Sequence, residues 1–223
     1  MLFRSMAAVL VEGNSYDVYI EEVNCPGTNN KIGQVFGTHW GNFQDHYLSG
    51  GVYVNVPGGA PTTHPRNVRL DRLIVGKLTN SDTLTNCAAF ISSSRDIKIG
   101  YIYVEEAAYA VTVFPGDQGF EYADAATKVQ KMYGIEIDTI IGKTRKNGVF
   151  VTGSCPYPAG NTVDNIVEFR SSYIDVTGSG TDAGLTTDRV IGISIDELRT
   201  SDYSNGAAIG LLSRNVVTSE EHT

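Results

Sequence analysis

The sequence predicts an α+β domain in which strands dominate, and three observations carry that expectation. Twelve Tyr, eight Phe and 24 Gly accompany many Val, Ile and Thr residues, a composition that favours strands joined by glycine-rich connections. Hydrophobic residues make up 41% and charged residues 19%, which is enough apolar material for a packed core and too little charge for a disordered chain. The segment Tyr122 to Tyr133 carries the best helical spacing, with Ala125, Val129 and Met132 on one side and Gly134 placed as a C-terminal stop. A length of 223 residues fits a single domain over 1–223, with an extra hairpin within 1–30 and a C-terminal extension over 154–223.

In chain order, Ala7–Glu12 and Tyr16–Glu21 flank Gly13-Asn14-Ser15 and read as a hairpin. Cys25-Pro26-Gly27 opens a loop, and Phe43–Leu48 has the spacing of a short helical turn. The glycine- and proline-rich run Gly50–His64 reads as a loop with an edge strand at Val52–Val56. Val68–Leu78 fits either a strand or a short helix, with Arg69, Arg72 and Lys77 set between aliphatic residues. Ala88–Ile91 and Ile97–Glu105 read as strands joined through Ser92-Ser93-Ser94, which places three hydroxyls at a strand end. Strand ends bordering a crevice are common ligand positions. Ala110–Phe114, Ile135–Gly142 and Gly148–Thr152 follow as strands, and no internal repeat stands out.

A formal charge of −8 argues against nucleic acid as the main partner, because phosphate recognition needs a basic face. No apolar run reaches the roughly 18 residues that a membrane-spanning helix requires. Cys25, Cys87 and Cys155 form no CxxC pair, and the four histidines include no i, i+4 pair, so no metal is expected. The cysteines leave the compartment open, as one disulfide with a free thiol or as three free thiols. No G-x-S-x-G elbow supports a hydrolase built from Ser92, His46 and Asp45, and no phosphate-binding P-loop motif is present.

Three patches in a fixed order carry a family resemblance. Trp40-Gly41-Asn42 with Asp45-His46-Tyr47-Leu48-Ser49-Gly50, then Phe90-Ile91-Ser92-Ser93-Ser94, then Ile99-Gly100-Tyr101-Ile102-Tyr103-Val104 together resemble the pertussis-type ADP-ribosyltransferase toxins. Weaker echoes follow at Phe120-Glu121-Tyr122, Lys146-Asn147-Gly148 and Arg189-Val190-Ile191-Gly192. The resemblance implies split, strongly bent β-sheets with short helices and an NAD-binding cleft between the sheets. It implies transfer of ADP-ribose from NAD, as a substrate and without metal, to a side chain of a host protein.

Carried over position by position, His46 supports the ribose, Ser92 and Ser94 brace the cleft, and Trp40 lies beside the cofactor. The family's arginine, which grips phosphate through charge-assisted hydrogen bonds, has two candidate positions. A first strand at Leu2–Ser5 places Arg4 there; a first strand at Asp17–Glu21 needs a smaller insertion and places Ile20 there. The glutamate that stabilises the oxocarbenium-like transition state aligns near Thr127-Lys128, with Glu121 as the nearest alternative.

The resemblance further implies a secreted toxin or effector subunit that works with a binding (B) subunit or another toxin component. Two alternatives stand beside the enzyme: a catalytically degraded pseudoenzyme of the same fold that acts by binding protein, and a strand-rich structural or attachment module.

Overall fold

The computed structural model describes residues 9–11, 15–25, 32–36, 65–79, 86–92, 94–114, 122–124, 129–153, 166–180, 182–188, 190, 192–204 and 209–211. These contain fourteen strands and no helix. In order they are β1 (Val9–Val11), β2 (Tyr16–Cys25), β3 (Ile32–Phe36), β4 (Arg66–Lys77), β5 (Cys87–Ser92), β6 (Arg95–Ala107) and β7 (Tyr109–Phe114). The series continues with β8 (Tyr122–Asp124), β9 (Val129–Thr144), β10 (Val149–Thr152), β11 (Ile166–Gly178), β12 (Leu185–Asp188), β13 (Ile193–Ser201) and β14 (Ile209–Leu211).

Apart from the short β8, which pairs antiparallel with β9, successive strands go alternately to two sheets. Sheet A has the order β1-β3-β5-β7-β10-β12-β14, and sheet B the order β2-β4-β6-β9-β11-β13. Every pairing within these two sheets is parallel. A chain that visits two sheets by turns, and lays each strand parallel on the one a turn earlier, is a parallel β-solenoid. Each turn buries its apolar face only by stacking on its neighbours.

The stacking appears as columns of like residues. Val68, Ile97, Ile135 and Phe169 lie in register across four turns, as do Leu73, Ile102, Ile140 and Ile174, and all eight are buried. Between the inward columns the alternation slips by one residue: Asp71-Arg72, Gly100-Tyr101, Asp138-Thr139 and Ser172-Tyr173 are adjacent pairs that are not buried. A two-residue outward step at the same place in every turn kinks sheet B along one line. At the outermost described turns of sheet B the inward residues Val18, Ile20, Ile193, Ile195 and Leu198 are only partly buried, because among the described residues each has a stacked neighbour on one side alone.

A corner recurs just before the first inward column. Asp17, Asn67, Asp96, Gly134 and Gly192 all adopt positive φ, and the asparagine amide of Asn67 donates to the Asp17 carboxylate at 2.5 Å. Asn, Asp and Gly tolerate the left-handed conformation that this corner requires. At Gly134 a Cβ would lie 3.1 Å from the Asp96 backbone and the φ is +68°, so a side chain there is strained.

These observations correct the α+β expectation and its ADP-ribosyltransferase-like split, bent sheets with short helices. Two all-parallel sheets share one core, and the described residues contain no helix. The helical spacing around Val129 and Met132 lies instead at the start of β9, where Met132, Ile135, Ile137 and Ile140 are the buried positions. Gly134 does adopt the left-handed conformation, but at a corner within a strand and not at the end of a helix. The Ala7–Glu12 and Tyr16–Glu21 segments form no hairpin, since β1 and β2 enter different sheets. Val68–Leu78 resolves as a strand, and Phe43–Leu48 lies outside the described residues.

At the far end of sheet B, the Glu106 carboxylate meets Lys77 Nζ at 3.1 Å and an Arg145 guanidinium nitrogen at 3.3 Å. Burial opposes its charge, but the hydrogen bonds from Lys77 and Arg145 outweigh burial and hold its pKa below the usual glutamate value. A depressed folded-state pKa contributes stability above the unfolded value of about 4.3, and that stability is lost as pH falls through the folded value. Urea-unfolding midpoints measured from pH 7 to pH 3 are expected to fall less steeply for Glu106→Gln than for the wild type. Equal slopes would show that the cluster does not couple to folding.

Candidate functional site

In the middle of sheet A both faces are largely covered: Phe90, Thr112 and Thr186, which alternate with the inward residues, are each 5% exposed or less, and Phe150 between them is partly exposed. Sheet B instead presents one outward face, so its alternate residues are the accessible chemistry. Arginine–tyrosine stacks mark this face. The guanidinium carbons of Arg66, Arg69, Arg72, Arg95 and Arg199 lie 4.8–5.7 Å from the ring centroids of Tyr16, Tyr19, Tyr101, Tyr133 and Tyr173. Tyr19 also donates to Asp71 at 2.7 Å, which raises the Tyr19 pKa through that hydrogen bond and lowers that of Asp71. Contacts of this kind, exposed to water, add little to the stability of the fold.

The most built part of the face lies on β9, β11 and β13. Glu136, Arg170 and Ser194 are in register on adjacent strands. One step further, between the registered sets Ile137–Ser171–Ile195 and Thr139–Tyr173–Glu197, stand Asp138, Ser172 and Asp196. These six side chains form a grid of two columns by three turns and line a concavity of about 300 Å³. The short Ser172 and Ser194 side chains stand beside the longer ones in its lining. Gly100 precedes Asp138 in the same column, where a Cβ would lie 2.8 Å from the Asp71 carbonyl oxygen.

The grid is open for binding. Glu136 is joined to Lys98 Nζ at 2.9 Å, whereas Arg170 and Asp196 have no ion-pair or hydrogen-bond partner among the described residues. Parallel strands lie about 4.8 Å apart, so the backbones at Asp138 and Asp196 are about 9.6 Å apart with Ser172 between them. That spacing presents acceptors at both ends of the site and donors in its middle. None of these six residues stands out in the sequence as a candidate for function, because their spacings follow no motif; only the register of the solenoid assembles them.

The residues named by the family resemblance are placed differently. Arg4, Trp40, His46, Glu121 and Thr127-Lys128 lie outside the described residues. Ile20 sits on β2, half-buried against the core. Ser92 ends β5, paired in register with Phe114 of sheet A, and Ser94 immediately precedes β6 of sheet B. Ser94 is fully buried, and its hydroxyl has no hydrogen-bond partner among the described residues. An unpartnered buried hydroxyl costs about 1–3 kcal/mol, so Ser94→Ala is expected to leave the chemical-denaturation stability unchanged or raise it by about 1 kcal/mol. A clear loss of stability would mean that the hydroxyl is engaged in solution.

Cys25 and Cys87 are both buried free thiols, and Cys155 lies outside the described residues. Burial pushes the Cys87 thiol far up, against a weaker lowering by its contact with Thr112, which makes it a core residue and not a nucleophile. Among the described residues no group of His, Cys, Asp and Glu is placed to hold a metal ion. Comparisons with protein families, with curated proteins and with solved structures return no match.

Proposed function

We propose that the chain is a rigid attachment module that holds its ligand on the outward face of sheet B. The observation that carries this reading is the grid of Glu136, Asp138, Arg170, Ser172, Ser194 and Asp196, polar groups held in register on three strands. Groups fixed on a stacked sheet lose little freedom when a ligand arrives, so the site is preorganised. The strand-rich structural or attachment alternative drawn from the sequence is the one that fits a solenoid.

Surface plasmon resonance of the full chain over immobilised cell envelopes tests the reading. Binding is expected, and Arg170→Ala/Asp196→Ala is expected to abolish most of it while leaving the melting temperature unchanged. Absence of binding, or full retention in the double variant, would count against the proposal.

ADP-ribosyl transfer from NAD to a host protein is the second reading, and the order of the Trp40, Ser92–Ser94 and Tyr101 patches favours it. Two all-parallel sheets are not the bent, split sheets that this chemistry uses in the family it resembles, so it ranks below attachment. Incubation with labelled NAD and lysate is the direct test, and label transferred to protein would reverse the ranking.

A further inference from the structure

Resting on the attachment reading, we propose that the grid on β9, β11 and β13 binds a neutral saccharide through its hydroxyl groups. The lining chemistry selects this class. Glu136, Asp138 and Asp196 only accept hydrogen bonds when ionised, Arg170 only donates, and Ser172 and Ser194 do both. A sugar ring carries hydroxyls that donate and accept on opposite sides, which matches acceptors at both ends of the site and a donor between them. Ile137 is the one apolar residue of the lining, so a greasy ligand finds little surface to bury.

Competing ligand classes fit less well. A divalent cation needs several converging oxygens at about 2.3–2.6 Å, and among the described residues no group of three His, Cys, Asp or Glu is placed to hold one. Arg170 stands in the same lining and adds a positive charge against any cation. An anionic polymer meets three carboxylates and a single guanidinium, in a chain whose formal charge is already −8. A neutral polyol avoids both conflicts, and its binding has little dependence on salt.

The test is calorimetric titration of the full chain with neutral gluco-, galacto-, manno- and N-acetylhexosamine oligosaccharides. Oligogalacturonate and chitosan fragments serve as anionic and cationic comparators. Binding of a neutral oligosaccharide is expected, changed less than about twofold between roughly 50 and 500 mM salt. Asp196→Ala and Arg170→Ala should each weaken it at least about tenfold, whereas Arg69→Ala, outside the lining, should not. Binding of the charged comparators alone, a steep salt dependence, or insensitivity to both grid variants would overturn the proposal.

Periodate-treated envelopes separate this inference from the reading beneath it. Periodate cleaves vicinal diols, so attachment should be lost after treatment. Attachment that survives periodate and is not competed by any of the neutral oligosaccharides, yet still requires Arg170 and Asp196, would sink the saccharide proposal and leave the attachment module standing. No attachment to untreated envelopes would remove both.

Discussion

Phe169→Ala is expected to destabilise the fold by about 3–5 kcal/mol, the largest effect that a single substitution in this core should produce. Phe169 is fully buried on β11, in the inward column that also holds Ile97 and Ile135 below it and Ile193 above it. Truncation removes the apolar contacts and leaves a hole between stacked turns that the hydrogen-bonded strands on either side cannot close. Phe169→Leu keeps most of the volume and is expected to cost less than about 1.5 kcal/mol. Urea unfolding followed by both circular dichroism and tyrosine fluorescence checks the result. In a stacked array the two probes need not coincide, because local turns can open before the whole. A cost of Phe169→Ala below about 1 kcal/mol would mean that the column is not packed as described.

The second large effect is expected at a buried amide. Asn147 is 6% exposed, and its side-chain oxygen accepts from the Ala183 backbone N–H at 3.1 Å and from the Thr186 hydroxyl at 2.7 Å. It ties the turn before β10 to the start of β12, one turn further along the solenoid. Asn147→Ala strands two buried donors, each costing about 1–3 kcal/mol, so a loss of about 2–4 kcal/mol is expected after partial relaxation. The double variant Asn147→Ala/Thr186→Val removes one stranded donor and should recover part of the loss. Amide hydrogen exchange at Ala183 gives a local readout, with faster exchange expected in Asn147→Ala.

The strands themselves were largely legible in the sequence. Ala88–Ile91, Ile97–Glu105, Ala110–Phe114 and Ile135–Gly142 lie within observed strands, and Gly148–Thr152 overlaps β10, because dense runs of β-branched and aromatic residues mark buried strands directly. The repeat was not legible. Tyr16 pairs with Arg66, Arg66 with Arg95, Ile97 with Ile135, Ile135 with Phe169 and Phe169 with Ile193, so successive turns differ in length. Insertions of unequal length between strands erase any fixed period, and with it the usual signature of a solenoid. The serine stretch does stand at a strand end, since Ser92 closes β5. Its interpretation as one wall of a cleft depended on which strands lie opposite, and local residues carry no information about that.

By itself the sequence determined where much of the chain extends and which residues are apolar enough to be buried. Each of these is a local property of a few neighbouring residues. Only the tertiary structure decided that β9, β11 and β13 lie side by side, and therefore that Asp138, Arg170 and Asp196 share one site. The physical reason is register. Stacking Ile137, Ser171 and Ile195 in one inward column sets the alignment, and the polar residues on either side of each are carried into line on the outer face.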